Sequence, residues 1–135
     1  MLSPKRTKFR KYQKGGKKGF QSNITELHFG QYGLKALQDG QIHAKTIEAV
    51  RRVMTRKFKR TGRIWIRMFP DIGVTAKSAQ VRMGKGKGSP SHWICRIQPG
   101  QILYEMDGVS FSLAKQAAEL AYHKLPFKTR FISMD

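Results

Sequence analysis

Acidic side chains are the scarcest charged groups in this 135-residue chain: 8 Asp and Glu stand against 27 Lys and Arg, leaving a formal charge of +19. The few carboxylates are also scattered. Only Glu105 and Asp107 are close neighbours, at the end of a strand pattern before Gly108, and with no His or metal-type partner beside them they fit a turn better than acid–base catalysis. Cysteine is nearly absent. Cys95 alone excludes an internal disulfide framework, and no Cys and His cluster has the spacing of structural zinc. Cys95 lies in an alternating pattern beside Arg96 and reads as a small buried hydrophobe. His28, His43, His92 and His123 each stand alone in the sequence, without the oriented partner that nucleophilic catalysis needs. No apolar run approaches the roughly 18 residues of a membrane span, and no secretory apolar segment follows the N-terminal charges.

Hydrophobic residues make up 39% of the chain, enough for a core and too many for a wholly disordered polycation. The length suits one domain. Charge of one sign on so small a body repels itself unless a polyanion neutralises it, so nucleic acid is the leading partner and an anionic membrane surface the alternative.

Residues 1–20 hold eight basic side chains (Lys5, Arg6, Lys8, Arg10, Lys11, Lys14, Lys17, Lys18) and no acidic ones. Charge alone would make this a solvated tail. Phe9, Tyr12 and Phe20 point further, because aromatics interleaved with cations stack on unpaired bases while the cations meet phosphates. The reading is a basic RNA-binding arm over residues 1–22, followed by one domain over 23–135.

Within that domain, alternation predicts a half-buried strand over Ile24 to Phe29 and a second strand near Leu34 to Leu37. Asp39 and Gly40 make a turn, and Ile47, Val50, Met54 and Phe58 then recur at helical spacing over residues 44–60. The opposite helix face carries Lys45, Arg51, Arg52, Arg56, Lys59 and Arg60 with only Glu48 opposing, and Gly62 sits where helices stop. A solvated face normally mixes signs, so this one is expected to meet nucleic acid. Arg63 to Phe69 alternates as a strand ended by Pro70. Residues 71–92 show no sustained period and read as a long projecting loop. Its run from Arg82 to Pro90 lacks phosphate-loop spacing. Gly84, Gly86 and Gly88 instead let the backbone approach a surface closely while Lys85 and Lys87 meet phosphates. Ile94 to Gln98 and Ile102 to Met106 suggest a hairpin through Pro99 and Gly100. Leu113, Ala117, Leu120 and Ala121 mark a second helix capped by Ser110 or Ser112, and a final strand follows over 127–132. The order is not a βαβ repeat, so the expected class is α+β: a largely antiparallel sheet packed with two helices. Without a helix-turn-helix, finger or zipper pattern, and with an arm, a helix and a loop that are all cationic, folded RNA is favoured over DNA.

The segment Arg60, Thr61, Gly62, Arg63, Ile64, Trp65, Ile66, Arg67, followed by Arg82, Met83, Gly84, Lys85, Gly86, Lys87, Gly88 and then Trp93, resembles the two signature segments of one family, ribosomal protein sixteen of the large subunit. The opening from Met1 to Lys11 and the close from Leu125 to Phe131 resemble that family's ends, so the likeness covers essentially the whole chain. It implies a nonenzymatic α+β component of the large ribosomal subunit that binds rRNA near the peptidyl transferase centre and the A-site tRNA, and helps organise tRNA binding and assembly. It implies rRNA contacts from Lys5, Arg6, Lys8, Arg10 and Lys11 of the arm and from Arg51, Arg52, Arg56, Lys59, Arg60 and Arg63 around the helix. Arg82, Met83, Lys85 and Lys87 would lie on the loop nearest the tRNA. Neighbouring ribosomal proteins are expected partners; a cofactor, a metal, a membrane and a second copy of the chain are not. His43 stands where the family usually has Ser or Thr as a helix cap, which predicts a weaker start. Ser91, His92 and Arg96 also depart from the family pattern. The opening from Met1 to Thr7 and the C-terminal end point to a plastid ribosome, with the bacterial cytoplasm as the alternative, and with no import segment ahead of Met1 synthesis inside the organelle is expected.

Overall fold

A computed structural model describes residues 2–16, 19 and 21–134. Lys17, Lys18 and Phe20, expected to contribute to the arm, lie outside the described residues, as do Met1 and Asp135. Among the described residues the chain forms seven strands and two α-helices, in the order Tyr32–Ala36 (β1), Gly40–His43 (β2), Ala44–Lys57 (α1), Arg63–Ile66 (β3), Ile72–Ala76 (β4), Ser89–Ile97 (β5), Ile102–Asp107 (β6), Phe111–Tyr122 (α2) and Thr129–Ser133 (β7). Every strand pairing is antiparallel, in a four-stranded sheet ordered β3-β6-β1-β7 and a three-stranded sheet ordered β2-β5-β4. The fold is therefore α+β, as the pattern of elements predicts.

The helical spacing of α1 translates directly into burial. Ile47, Val50, Met54 and Phe58 are all within the core, joined by Ala44 at the first turn. Fully burying side chains of this size contributes roughly 1.5–3 kcal/mol each. On α2 the buried stripe is Ala114, Ala117, Ala118 and Ala121, while Leu120, expected inside, is exposed. Alanine lets α1 and α2, which pack together, approach closely, so the large Leu120 side chain is turned outward. Ser110 caps α2, its Oγ accepting from the Leu113 N–H at 3.4 Å, whereas His43 before α1 makes no side-chain cap bond, as its departure from Ser or Thr predicts.

Four expectations need correction. Ile24 to Phe29 is not a strand: a short 3-10 turn over Ser22–Ile24 leads into bends, because the backbone N–H groups of residues 28–30 converge on a carboxylate instead of a neighbouring strand. The expected hairpin of 94–98 with 102–106 is also absent. β5 belongs to the three-stranded sheet and β6 to the four-stranded one. Their connection is pinned to β1 on both sides, the Gly100 N–H donating to the Ala36 carbonyl at 2.7 Å and the Ala36 N–H to the Gln101 carbonyl at 2.8 Å, so the chain crosses between sheets there. The irregular stretch assigned to 71–92 shrinks to 77–88, since β4 and the start of β5 occupy its two ends. Finally, α1 ends at Lys57 and not at residue 60. Lys59 and Arg60 take left-handed backbone angles, φ 52° and 64°, which break the helix before Gly62.

Candidate nucleic-acid interface

The cationic groups singled out by the sequence fall on three grips. The first is the arm, where Lys5, Arg6, Lys8, Arg10 and Lys11 are all exposed. Lys8 holds its ammonium 5.6 Å from the centroid of the Phe9 ring, and that ring is itself exposed. The second is the loop over 77–88, with Arg82, Lys85 and Lys87 exposed and Met83 at 95% exposure. Gly84 and Gly86 at φ 89° and 94°, with Lys85 between them at φ 61°, give this tip a left-handed path that lifts the backbone outward.

Arm and loop are not independent. The Lys11 ammonium donates to the Lys87 carbonyl at 2.9 Å, and the Lys87 ammonium donates to the Tyr12 carbonyl at 2.6 Å. Lys77 donates in turn to the Gly84 carbonyl. The reciprocal pair latches two segments 75 or more residues apart in sequence, joining the first two grips in one cationic surface.

The third grip is the exposed face and C-terminal end of α1. Arg52, Arg56, Lys59, Arg60 and Arg63 are exposed and Arg51 is half-buried. Glu48 holds two of them: Arg51 forms a bidentate pair with it at 2.6 and 2.9 Å, and Arg52 reaches it at 3.1 Å. Hydrogen bonding from Arg51, with Arg52 adding to it, overcomes burial and lowers the Glu48 carboxyl to about 2. Arg51 and Arg52 are thus pre-oriented and partly neutralised, whereas Arg56, Lys59 and Arg60 carry the helix's outward charge. A 14-residue helix is about 20 Å long, so this end lies a helix length from the start of α1.

Sequence reasoning missed one charged constellation. Glu105 is not a turn residue: it sits in the middle of the four-stranded sheet, fully buried. Its carboxylate accepts from the Phe29 N–H at 2.6 Å, the Gly30 N–H at 2.8 Å and the His28 N–H at 3.2 Å, and Arg67 pairs with it at 2.8 Å. Burial works to raise its pKa, but the Gly30, Phe29 and His28 N–H groups together with Arg67 outweigh it and leave the carboxyl below its ordinary value. The Glu105 side chain has no exposed surface, and a Cβ on Gly30 would lie 2.5 Å from the Met106 carbonyl oxygen, so the close pass of residue 30 over β6 requires glycine. The signal available beforehand was Arg67, which alternates with Arg63 and Trp65 just past the end of β3. The four histidines do not all stand apart either, since His43 and His92 stack with ring centroids 4.3 Å apart. Cys95 is buried, as expected.

Among the described residues no group of His, Cys, Asp and Glu is arranged to hold a metal ion, and no helix is long and apolar enough to cross a membrane. Exposed cations on an arm, a loop and a helix end, around a sheet whose buried Glu105 is internally paired, define a small basic α+β protein with a surface suited to a polyanion. Residues 4–132 match the family model described as Ribosomal protein L16p/L10e, and the chain belongs to that family. It is 61% identical to the large ribosomal subunit protein uL16m of Prototheca wickerhamii over 132 residues, covering 98% of each chain. It is 57% identical to the large ribosomal subunit protein uL16 of Xanthobacter autotrophicus and 56% identical to that of Azorhizobium caulinodans, in each case over 98% of this chain and 96% of the relative. The protein is accordingly a nonenzymatic structural constituent of the large ribosomal subunit, with rRNA and ribosomal proteins as partners.

Proposed function

We propose that this protein binds rRNA near the peptidyl transferase centre and the A-site tRNA region, and helps organise tRNA binding and subunit assembly. The latch between arm and loop carries the reading: it presents Lys5, Arg6, Lys8, Arg10 and Lys11 beside Lys85 and Arg82 as one preformed cationic surface, so less ordering entropy opposes binding. Arg56, Lys59, Arg60 and Arg63 at the end of α1, with Arg51 and Arg52 behind Glu48, supply a separate hold on the same folded polymer. The roles are positional and electrostatic. Arg82, Met83 and Lys85 face the tRNA side, while Lys87 secures the loop to Tyr12.

The compartment follows the relatives more closely than the sequence's opening. The plastid address expected from the termini is not specifically supported by the relatives named above. The m suffix of the Prototheca wickerhamii relative's name denotes a mitochondrial form, and the other relatives are bacterial, so a mitochondrial or bacterial-type ribosome is favoured over a plastid one.

Crosslinking from Lys85 and Lys87 in assembled large subunits, read with and without A-site tRNA, tests the placement. The expected result is rRNA adducts in both states and tRNA adducts from Lys85 only when the A site is filled. Adducts confined to rRNA in both states would remove the tRNA-facing role.

A further inference from the structure

β2 and β5 bring together two residues that depart from the family pattern. His43 lies opposite Ile94 in the register of the two strands, so His92, two residues before Ile94, is its diagonal neighbour on the same sheet face. Their rings stack at 4.3 Å with planes 23° apart, and Ser91 Oγ lies 3.3 Å from His92 Nδ1. Beside this pair opens a cleft of about 600 Å³, walled also by Leu2 and Ser3 of the arm, by Trp93 and by Lys45 in the first turn of α1. That is the size of a small-molecule site, which typically spans about 300–1,000 Å³. Among the described residues no carboxylate lines it. Burial, with the nearby charges of His43, Lys14 and Lys45, lowers His92 below the ordinary histidine value, so its ring is neutral near pH 7 and free to stack.

Three flat rings, the hydroxyls of Ser3 and Ser91, the Lys45 ammonium and, among the described residues, no carboxylate line one cleft, a lining suited to an anionic aromatic group. An acyl chain would make no use of the Lys45 ammonium, and a lipid headgroup has no aromatic ring for the imidazoles. A paired base already has both faces covered within its own helix, whereas an unpaired one exposes them. We propose that this cleft holds one unpaired nucleotide of large-subunit rRNA, its base against His43, His92 and Trp93 and its phosphate at Lys45. The inference rests on the rRNA-binding reading above and adds a base-stacking contact to a surface otherwise described by charge.

The chain has two tryptophans, Trp65 and Trp93, so full-length protein carrying Trp65→Phe leaves Trp93 as the sole reporter in the cleft. Titration with a large-subunit rRNA transcript at several KCl concentrations is expected to quench Trp93. His92→Ala should weaken binding about five-fold or more, the low end for one stacked base, without changing the salt slope, because a neutral ring releases no counterions. Lys45→Ala should make the slope shallower by about 0.7–0.9. His92→Tyr, which keeps a ring in place, should restore the affinity that His92→Ala loses, separating stacking from a folding defect. Unchanged Trp93 fluorescence with unchanged affinity in His92→Ala, while a Lys5→Ala, Lys8→Ala arm variant still binds more weakly, would overturn the cleft and leave the rRNA reading standing. A transcript that is not bound at all would overturn both.

Discussion

Glu105 is where the chain's scarce negative charge matters most. Its oxygens, fully buried, receive three backbone N–H groups and the partly buried Arg67, so replacing the carboxylate leaves the Gly30 N–H and the Arg67 guanidinium without their counter-charge. Breaking such a pair from one side costs more than the pair contributes. Glu105→Gln is expected to lower the unfolding free energy by about 3 kcal/mol, read as an earlier urea midpoint. The same residue sets the acid limit. Its folded pKa is depressed, so the unfolded state takes up protons more readily; the stability it contributes is complete above the ordinary value of 4.5 and is lost as pH falls through the lower folded value. Glu48, lowered to about 2, acts in the same direction between pH 4.5 and 2 with a smaller effect, since its partners are at the surface. Thermal melts should therefore decline slightly below about pH 6.5, where the depressed His92 begins to disfavour the folded state, and fall steeply below about pH 4.5, with the steep fall blunted in Glu105→Gln. None of this was legible beforehand: the sequence shows Glu105 two residues from Asp107 and a glycine, which looks like a turn, and only the folded path of residues 28–30 reveals why the acid is inside.

Elements show a sharper division between what the sequence dictates and what it leaves to tertiary structure. Both helices were legible because a buried stripe at 3.6-residue spacing is a local pattern, and α1 buries the very residues that define its period. The four-residue β2 was not, nor the five-residue β4 with Gly73 as its second residue, because short strands carry too few alternations to stand out. β5 also begins with Ser89 and Pro90, residues that locally read as loop. The failed hairpin has a different origin. Pro99 and Gly100 do make a turn, but Ala36 captures its polar groups, so two consecutive strands diverge into separate sheets. Gly62 tests how tightly the end of α1 is joined to β3. At φ 70°, a Cβ there would lie 2.5 Å from the Asp107 carbonyl oxygen and 2.8 Å from Val109 Cγ1. Gly84 has a similar positive φ, yet nothing lies within 4 Å of a Cβ built on it. Gly62→Ala should accordingly cost about 2–3 kcal/mol and Gly84→Ala about 1 kcal/mol in urea unfolding, the difference being steric. Equal costs would mean that the close pass over β6 relaxes freely.

Across the whole molecule, a formal charge of +19 has to be reconciled with a compact fold, and the fold does so by keeping its buried acid for internal pairing while arm, loop and helix end face outward. The charge was readable from composition and the three cationic segments from the order of residues along the chain. Their joining by the Lys11 and Lys87 latch was not, because it depends on backbone carbonyls that any residue supplies. Phosphate contacts of this kind bind by releasing counterions, which makes affinity fall as a power of salt concentration. The most direct measurement is the affinity of the full-length protein for a large-subunit rRNA transcript across a KCl series. With six to eight phosphates neutralised, a log–log slope of roughly −4 to −7 is expected. Replacing Arg56, Lys59 and Arg60 together by Ala should make it shallower by about 2 to 3. Binding that is weak and nearly independent of salt, with a slope unmoved by those replacements, would contradict the account.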